Sequence, residues 1–332
     1  MFLYIDLNFY PRKMTKAFLT IVTGNVPPAW LGKLSDISEV DIWPGESDYL
    51  MPRSELIKKL NNSDALVNFA DARADSDLLD HAPNLKIIAN ASVGFDNLNL
   101  NELTRRGIWA TNCPGFFNFP VAEYIIAGML YLSRRLGEAE RFVREGKWLT
   151  FEPGRWDGMS LREQSLGIVG MGAIGRELAS MATCIGMKVK YFDAYSNILP
   201  GSLQLDELLA TSDFVSVNVP LSKETYRFVD RNFMDKMKRN AILINTSRGT
   251  VVDQDVLIEY LSAGKLRGAV IDVFENEPVV PDALKNLDNV VITPHMAGGT
   301  KSSRKASIEN AFNNVYAVLS GNPPLNPVNK LS

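Results

Sequence analysis

Histidine and cysteine are scarce: His81 and His295 are the two imidazoles, and Cys113 and Cys184 the two thiols, in 332 residues. Two cysteines are too few for a disulfide framework or a thiolate metal cluster, and that sparing use fits a reducing compartment, with the cytoplasm as the default. Long hydrophobic runs are also missing. The most apolar stretch, VAEYIIAGMLYLS at 121–133, is too short to span a bilayer and carries Glu123. Charge of one sign is not in excess either: 35 Lys and Arg against 38 Asp and Glu leave a net charge of -3. Neither nucleic acid nor an anionic membrane is favoured as a partner. The opening MFLYIDLNFYPRK has no basic segment ahead of its apolar residues and meets Asp6 early, so it reads poorly as a secretory signal. Met14 serves equally well as a start, with the first thirteen residues as an extension outside the fold.

What is present is an ordinary globular composition, 46% hydrophobic and 22% charged, at a length suited to two domains. Short β-rich runs alternate with helical periodicity, which predicts an α/β chain of two doubly wound parallel-sheet domains with helices on the sheet faces. Strands are expected at 17–22, 39–43, 65–69, 85–90 and 108–111, with helices at 53–62 and 100–107. A long apolar helix over 119–148 follows, with Pro120 in its first turn, then a polar irregular section at 155–164. A second series of strands is expected at 165–170, 188–192, 214–219, 241–245, 268–274 and 289–293. The chain closes with a helix from 302 to 319 and the segment GNPPLNPVNK, which cannot continue it.

The second series opens with SLGIVGMGAIGRELA, where Gly170, Gly172 and Gly175 stand in G-x-G-x-x-G spacing between a strand and a helix. The glycines permit a tight turn and close backbone approach to a pyrophosphate. The amides of Ala173 and Ile174 at the helix start lie where unpaired N–H groups receive phosphate oxygens. The spacing alone is a weak signal. It gains weight because the next strand run leads to Asp193, placed to accept hydrogen bonds from an adenosine ribose. A carboxylate repels a 2′-phosphate and no Arg or Lys follows in AYSN, so NAD(H) is favoured over NADP(H). A complete α/β domain upstream of the fingerprint is available to supply the other wall of a substrate cleft.

Three further residues draw attention singly. Arg248, in INTSRGTVVD, lies past a strand end and its planar fork suits a carboxylate, although an isolated Arg there is commonly a surface or capping residue. Glu277 precedes Pro278 in a loop and alone reads as solvated, while His295, in ITPHMAGG, is as readily structural as chemical.

Taken together, the motifs ASVGFDN, CPGFFNFPVAE, GKW, LGIVGMGAIG, NVPLSKET, NTSRGTVVD, IDVFENEP, TPHMAGG and NPVN occur in one order across nearly the whole chain from Met14. The sequence thereby resembles the D-isomer-specific 2-hydroxyacid dehydrogenase family, especially its glyoxylate/hydroxypyruvate reductase branch. The resemblance implies a flavodoxin-like substrate-binding domain over 1–114 and 301–332 and a Rossmann dinucleotide-binding domain over 115–300, with a cleft between them. It implies Arg248, Glu277 and His295 as the catalytic set acting on a small 2-oxo acid. His295 would donate the proton in reduction and remove it in oxidation. Glu277 would favour and orient the imidazolium, and Arg248 would hold the substrate carboxylate and polarise the carbonyl. Backbone amides around Val93 and Gly94 would help bind that carboxylate. Asp272 matches a residue that binds the nicotinamide carboxamide, though unaided it reads as a helix-cap or surface Asp. Val219, Pro220 and Thr225 would line the adenine side, with Thr246, His295 and Gly298 also at the cofactor. A homodimer through 119–148 is implied, with Trp148 reaching a neighbouring subunit's cleft.

Some positions depart from the family. Ala173 stands where Arg is usual, removing a side-chain contact to the pyrophosphate; Phe116 and Phe117 replace a smaller, usually polar pair; and Asp193 differs from the strand ending common among NADPH-using glyoxylate reductases. Three alternatives stand beside the main reading. Formate dehydrogenases place Gln where Glu277 stands, which argues against that reading. A dinucleotide-sensing corepressor would keep the fold and act by binding partners. Small Ala70, in NFADAR, would allow a larger, sugar-derived 2-oxo acid.

Overall fold

The computed structural model describes residues 16–45, 50–69, 72–196 and 198–331. The expectations for the first thirteen residues, Met14 and Ala70 lie outside the described residues. The chain divides into two compact units, one made of the described residues up to Pro114 and from Lys305 onward, the other of Gly115–Arg304.

The first unit carries strands β1 (Phe18–Val22), β2 (Ser38–Ile42), β3 (Ala65–Asn68), β4 (Ile87–Asn90) and β5 (Trp109–Thr111) in one parallel sheet of order β2-β1-β3-β4-β5. That is the flavodoxin-like order. Strands β3 and β4 are buried along their whole length, as continuous apolar runs in a covered parallel sheet must be. Their last residues, Asn68 and Asn90, are fully buried and turn their amides to the loops beyond. Asn68 bonds both the N–H and the C=O of Ala72. Asn90 donates to the Gly94 carbonyl at 3.2 Å and to Asn97 Oδ1 at 2.8 Å. The Val93 carbonyl accepts from Asn112 at 2.7 Å. The loop bearing Val93 and Gly94 is therefore shaped by side chains bonded to its carbonyls.

The C-terminal segment closes this unit. Asn329 accepts from the Ala110 N–H and donates to the Ile108 carbonyl, beside β5. The Cys113 thiol donates to the carbonyls of Asn90 and Ser307, tying the closing helix Lys301–Leu319 to β4. Burial pushes that thiol up to about 11, which leaves it a packing group and not a nucleophile.

The second unit holds β6 (Ser165–Val169), β7 (Lys188–Phe192), β8 (Phe214–Val217), β9 (Ile242–Asn245), β10 (Gly268–Ile271) and β11 (Val290–Ile292), all parallel in the order β11-β10-β9-β8-β6-β7. A parallel bridge from Tyr191 to Ser202 adds a rudiment of an outer strand that no apolar run announces. With it, the sheet contains the strand order of a Rossmann domain, and its topological switch point falls between β6 and β8.

The expected helix over 119–148 is corrected to two, Asn118–Ser133 and Leu136–Arg144. Arg135 between them has φ 52°, a left-handed backbone that no helix continues through. Its guanidinium holds Glu138 and the Arg155 carbonyl, and a side chain on Gly137 would collide with the Tyr131 hydroxyl at 2.0 Å. The first helix packs on the sheet through Gly128, where any Cβ would lie 2.7 Å from Val270. The expected strand at 268–274 stops at Ile271, because Asp272 to Glu277 leave the sheet. Among the described residues no helix is long and apolar enough to cross a membrane, and no cluster of three or more His, Cys, Asp or Glu could hold a metal.

Candidate active site

Strands β9, β10 and β11 are neighbours in register, Ile271 lying opposite both Asn245 and Ile292. The segments that leave their carboxyl ends therefore emerge side by side, carrying Arg248, Glu277 and His295. The sheet aligns residues that lie far apart in sequence.

The buried centre of this cluster is Asp272, with no accessible surface. Its Oδ1 accepts from the Thr293 hydroxyl at 2.6 Å and the Met296 N–H at 2.8 Å, and its Oδ2 from the Ala297 N–H at 2.7 Å. The reading of Asp272 as a helix cap or surface residue is thus corrected: three charge-assisted bonds offset the cost of burying it. Thr293 is also bonded to the Tyr124 hydroxyl, from the helix Asn118–Ser133. Around this carboxylate the loop wraps so tightly that His295 takes φ 49°, with its N–H donating to the Asp272 and Thr293 carbonyls. A left-handed non-glycine residue persists only where its surroundings dictate it.

His295 Nδ1 lies 2.8 Å from Glu277 Oε2, and the other Glu277 oxygen accepts from the Phe274 N–H at 3.0 Å. Burial pushes the Glu277 carboxyl up, but the hydrogen bond and charge of His295, the Phe274 N–H and the Arg248 guanidinium outweigh it, leaving the group below its usual range. A carboxyl with a depressed folded-state pKa adds stability above its unfolded pKa and loses it as pH falls through the folded value. Through Nδ1 the carboxylate fixes the imidazole, so Nε2 is the nitrogen left for other partners. A cavity of about 410 Å³ is lined by Phe274, Glu277, Val280, Thr293, Pro294 and His295.

Arg248 follows β9 with φ -141° and ψ 142°. Asn245, buried at the end of that strand, accepts from the Ser247 N–H and hydroxyl and donates to the Arg248 carbonyl at 2.9 Å, fixing the turn around the half-buried Thr246. Next to it Gly249 is indispensable: a Cβ there would sit 1.9 Å from the Phe274 carbonyl carbon. The Arg248 turn can therefore press against the segment that holds Glu277. Gly298 plays a similar part, since its Cβ would lie 2.7 Å from the Phe117 ring.

At the switch point the glycine turn leaves β6. Gly170 has φ 96° and a Cβ there would meet the Asn218 carbonyl at 2.8 Å, while one on Gly175 would meet the Gly170 carbonyl at 2.3 Å. Gly172 differs: nothing lies within 4 Å of its Cβ position. It caps the helix Ala173–Cys184 with no side-chain bond, so the first amides, including those of Ala173 and Ile174, face outward unshielded. Asp193 sits at the end of β7, its carboxylate accepting from Met171 N–H at 2.8 Å and Tyr195 N–H at 2.9 Å. Open space before a bare helix start, beside a fixed carboxylate, fits a dinucleotide. Past β8, Val219 is half-buried and Pro220 exposed, and Thr225 closes the turn by donating to the Pro220 carbonyl at 2.6 Å. Val93 and Gly94 belong to the first unit, in the loop described above.

Asn245, Gly249, Thr293 and Tyr124 escaped the sequence reading. Of these, Asn245 and Gly249 stand near Arg248 in sequence, but their partners, the Arg248 turn and the Phe274 carbonyl, come from the fold. Tyr124 carried no signal, because its partner lies 169 residues away.

Residues 126–297 match the model of the D-isomer specific 2-hydroxyacid dehydrogenase NAD binding domain. The chain is 40% identical over 320 residues to glyoxylate reductase of Thermococcus litoralis, covering 93% of this chain and 96% of that protein. Glyoxylate reductase of Korarchaeum cryptofilum is 38% identical, at 93% and 95% coverage. Among solved structures, a protein of Thermus thermophilus superposes with TM-score 0.88 at 38% identity, covering 93% of this chain and 99% of that one. An NADPH-dependent glyoxylate/hydroxypyruvate reductase of Sinorhizobium meliloti, in complex with NADP and malonate, superposes with TM-score 0.83 at 28% identity, covering 93% and 96%.

Proposed function

This chain belongs to the D-isomer specific 2-hydroxyacid dehydrogenase family, and on that premise we propose that it reduces a small 2-oxo acid, glyoxylate or hydroxypyruvate, to the 2-hydroxy acid with NADH as the preferred cofactor. The observation that carries the reading is the His295 Nδ1 to Glu277 contact of 2.8 Å. When bound, the nicotinamide supplies the hydride to the carbonyl carbon. The protein must then deliver a proton to the carbonyl oxygen, and His295 does so from Nε2, taking it back in the oxidative direction. Glu277 holds the ring in the donating orientation. Arg248 pairs with the substrate carboxylate and stabilises the charge that grows on the carbonyl oxygen. In the first unit, the loop of Val93 and Gly94 offers backbone amides that suit a carboxylate.

For the cofactor, Gly170, Gly172 and Gly175 with the amides of Ala173 and Ile174 receive the pyrophosphate, and Asp193 the adenosine ribose. Val219, Pro220 and Thr225 flank the adenine side. Thr246 and Gly298 lie on the nicotinamide side with His295, and the buried Asp272 holds the loop that carries His295 there. The NADH preference rests on Asp193, which repels a 2′-phosphate. The assignment of Gly115–Arg304 as the dinucleotide-binding domain and the other unit as the substrate-binding domain follows the same reading. The protein acts as a homodimer, supported by Trp148, Leu149 and Phe151, exposed by 60%, 88% and 81%, in one stretch, and its two cysteines in 332 residues favour the cytoplasm as its compartment.

The test is steady-state oxidation of NADH and of NADPH with glyoxylate, hydroxypyruvate, pyruvate and 2-ketogluconate, for wild type and Asp193→Ala. Preference for NADH with a C2 or C3 oxo acid, moving towards NADPH in the variant, is the expected result. NADH binding without turnover of any oxo acid would overturn the proposal.

A further inference from the structure

The glycine turn GMGAIG, residues 170–175, contains no charged side chain, and Ala173 at the head of the helix presents only a methyl group. The first cation is Arg176, one turn in. Side chains of a helix lean towards its N-terminus, and Arg176 follows that rule, folding back so that Nη1 donates to the Met171 carbonyl at 3.0 Å. Met171 is thereby held at both ends, its N–H by Asp193 at 2.8 Å and its carbonyl by Arg176.

That single bond uses one of five guanidinium N–H groups. No carboxylate lies within ion-pair distance of Arg176 among the described residues, although the chain pairs most of its other arginines. The side chain is exposed, and beside it Gly172 has nothing within 4 Å of its Cβ position. An exposed, anchored guanidinium with donors to spare thus stands at the open mouth of the turn. Asp193, gripping the same residue from the other side, marks the ribose end of a ligand whose next group is the pyrophosphate.

We infer that Arg176 is the cation that meets the cofactor pyrophosphate, supplying from the second turn of the helix the charge that the first turn lacks. The inference rests on the dinucleotide reading of this turn. Met171 acts as the anchor that aims the guanidinium, and the planar fork suits two phosphate oxygens at once.

The experiment is calorimetric binding of ADP-ribose and of its 2′-phosphate to wild type, Arg176→Met and Arg176→Lys, at two salt concentrations. It needs neither substrate nor turnover. Arg176→Met is expected to weaken both ligands about tenfold and to flatten the salt dependence, with Arg176→Lys recovering part of the loss. Three results would overturn the inference: unchanged affinity in Arg176→Met, equal loss in Met and Lys variants with the salt dependence intact, or loss confined to the 2′-phosphorylated ligand. If wild type binds neither ligand, the dinucleotide reading falls and takes this inference with it.

Discussion

Two loop clusters at the carboxyl ends of one sheet are built by opposite means. The turn after β6 is shaped by missing side chains: Gly170 and Gly175 avoid backbone collisions, and Gly172 leaves open space before the helix. The cluster after β9, β10 and β11 is shaped by side chains that bond to the backbone, with Asn245 and Asp272 each making three hydrogen bonds to their loops. A site that binds a pyrophosphate through amides needs its backbone bare. A site that must hold an imidazole, a carboxylate and a guanidinium in fixed relation needs its backbone braced.

Substitutions can break that contrast. The largest effect is expected of Gly249→Ala, whose methyl would collide with the Phe274 carbonyl carbon at 1.9 Å. It should cost about 3 kcal/mol of stability in a urea titration and separate Arg248 from Glu277. Next comes Glu277→Gln, which keeps the shape and removes the charge. The rate of reduction should fall about a hundredfold, and the stability that the depressed Glu277 carboxyl adds above its unfolded pKa, lost as pH falls through the folded value, should be missing from the variant. A urea titration that changes with pH in the same way in both proteins would show that Glu277 is not the group held below its usual range. Asp272→Asn should cost about 2 kcal/mol, since the amide cannot accept from the Ala297 N–H where Oδ2 did. Its signature would be faster hydrogen exchange at Met296 and Ala297. The smallest effect on stability, within about 0.5 kcal/mol, is expected of Gly172→Ala, because the new methyl meets nothing within 4 Å. That variant should nonetheless bind ADP-ribose more weakly, the open space being the ligand's own.

The same contrast governs what could be read from the sequence. The glycine turn was legible because its elements are consecutive, and spacing, strand run and Asp193 follow one another along a short stretch of chain. The alternation of strands and helices was legible for the same reason, apart from Arg135, whose left-handed backbone splits the expected long helix and depends on the fit of Gly137 against Tyr131. Arg248, Glu277 and His295 each read ambiguously alone, and only their joint order across the chain gave them meaning. Their bracing was not legible at all. Asp272 looks like any polar residue at a strand end, and its role arises from register with β11, which brings Thr293, Met296 and Ala297 to it. The bridge from Ser202 to Tyr191 likewise has no apolar pattern of its own.

The central claim is that the braced cluster performs proton transfer while the bare turn holds the cofactor. The most direct test measures both on one variant: NADH binding by fluorescence titration and NADH oxidation with glyoxylate, in wild type and His295→Ala. Loss of turnover by about a hundredfold or more, with NADH affinity within about twofold of wild type, is the predicted result. Turnover that survives without the imidazole would contradict the account.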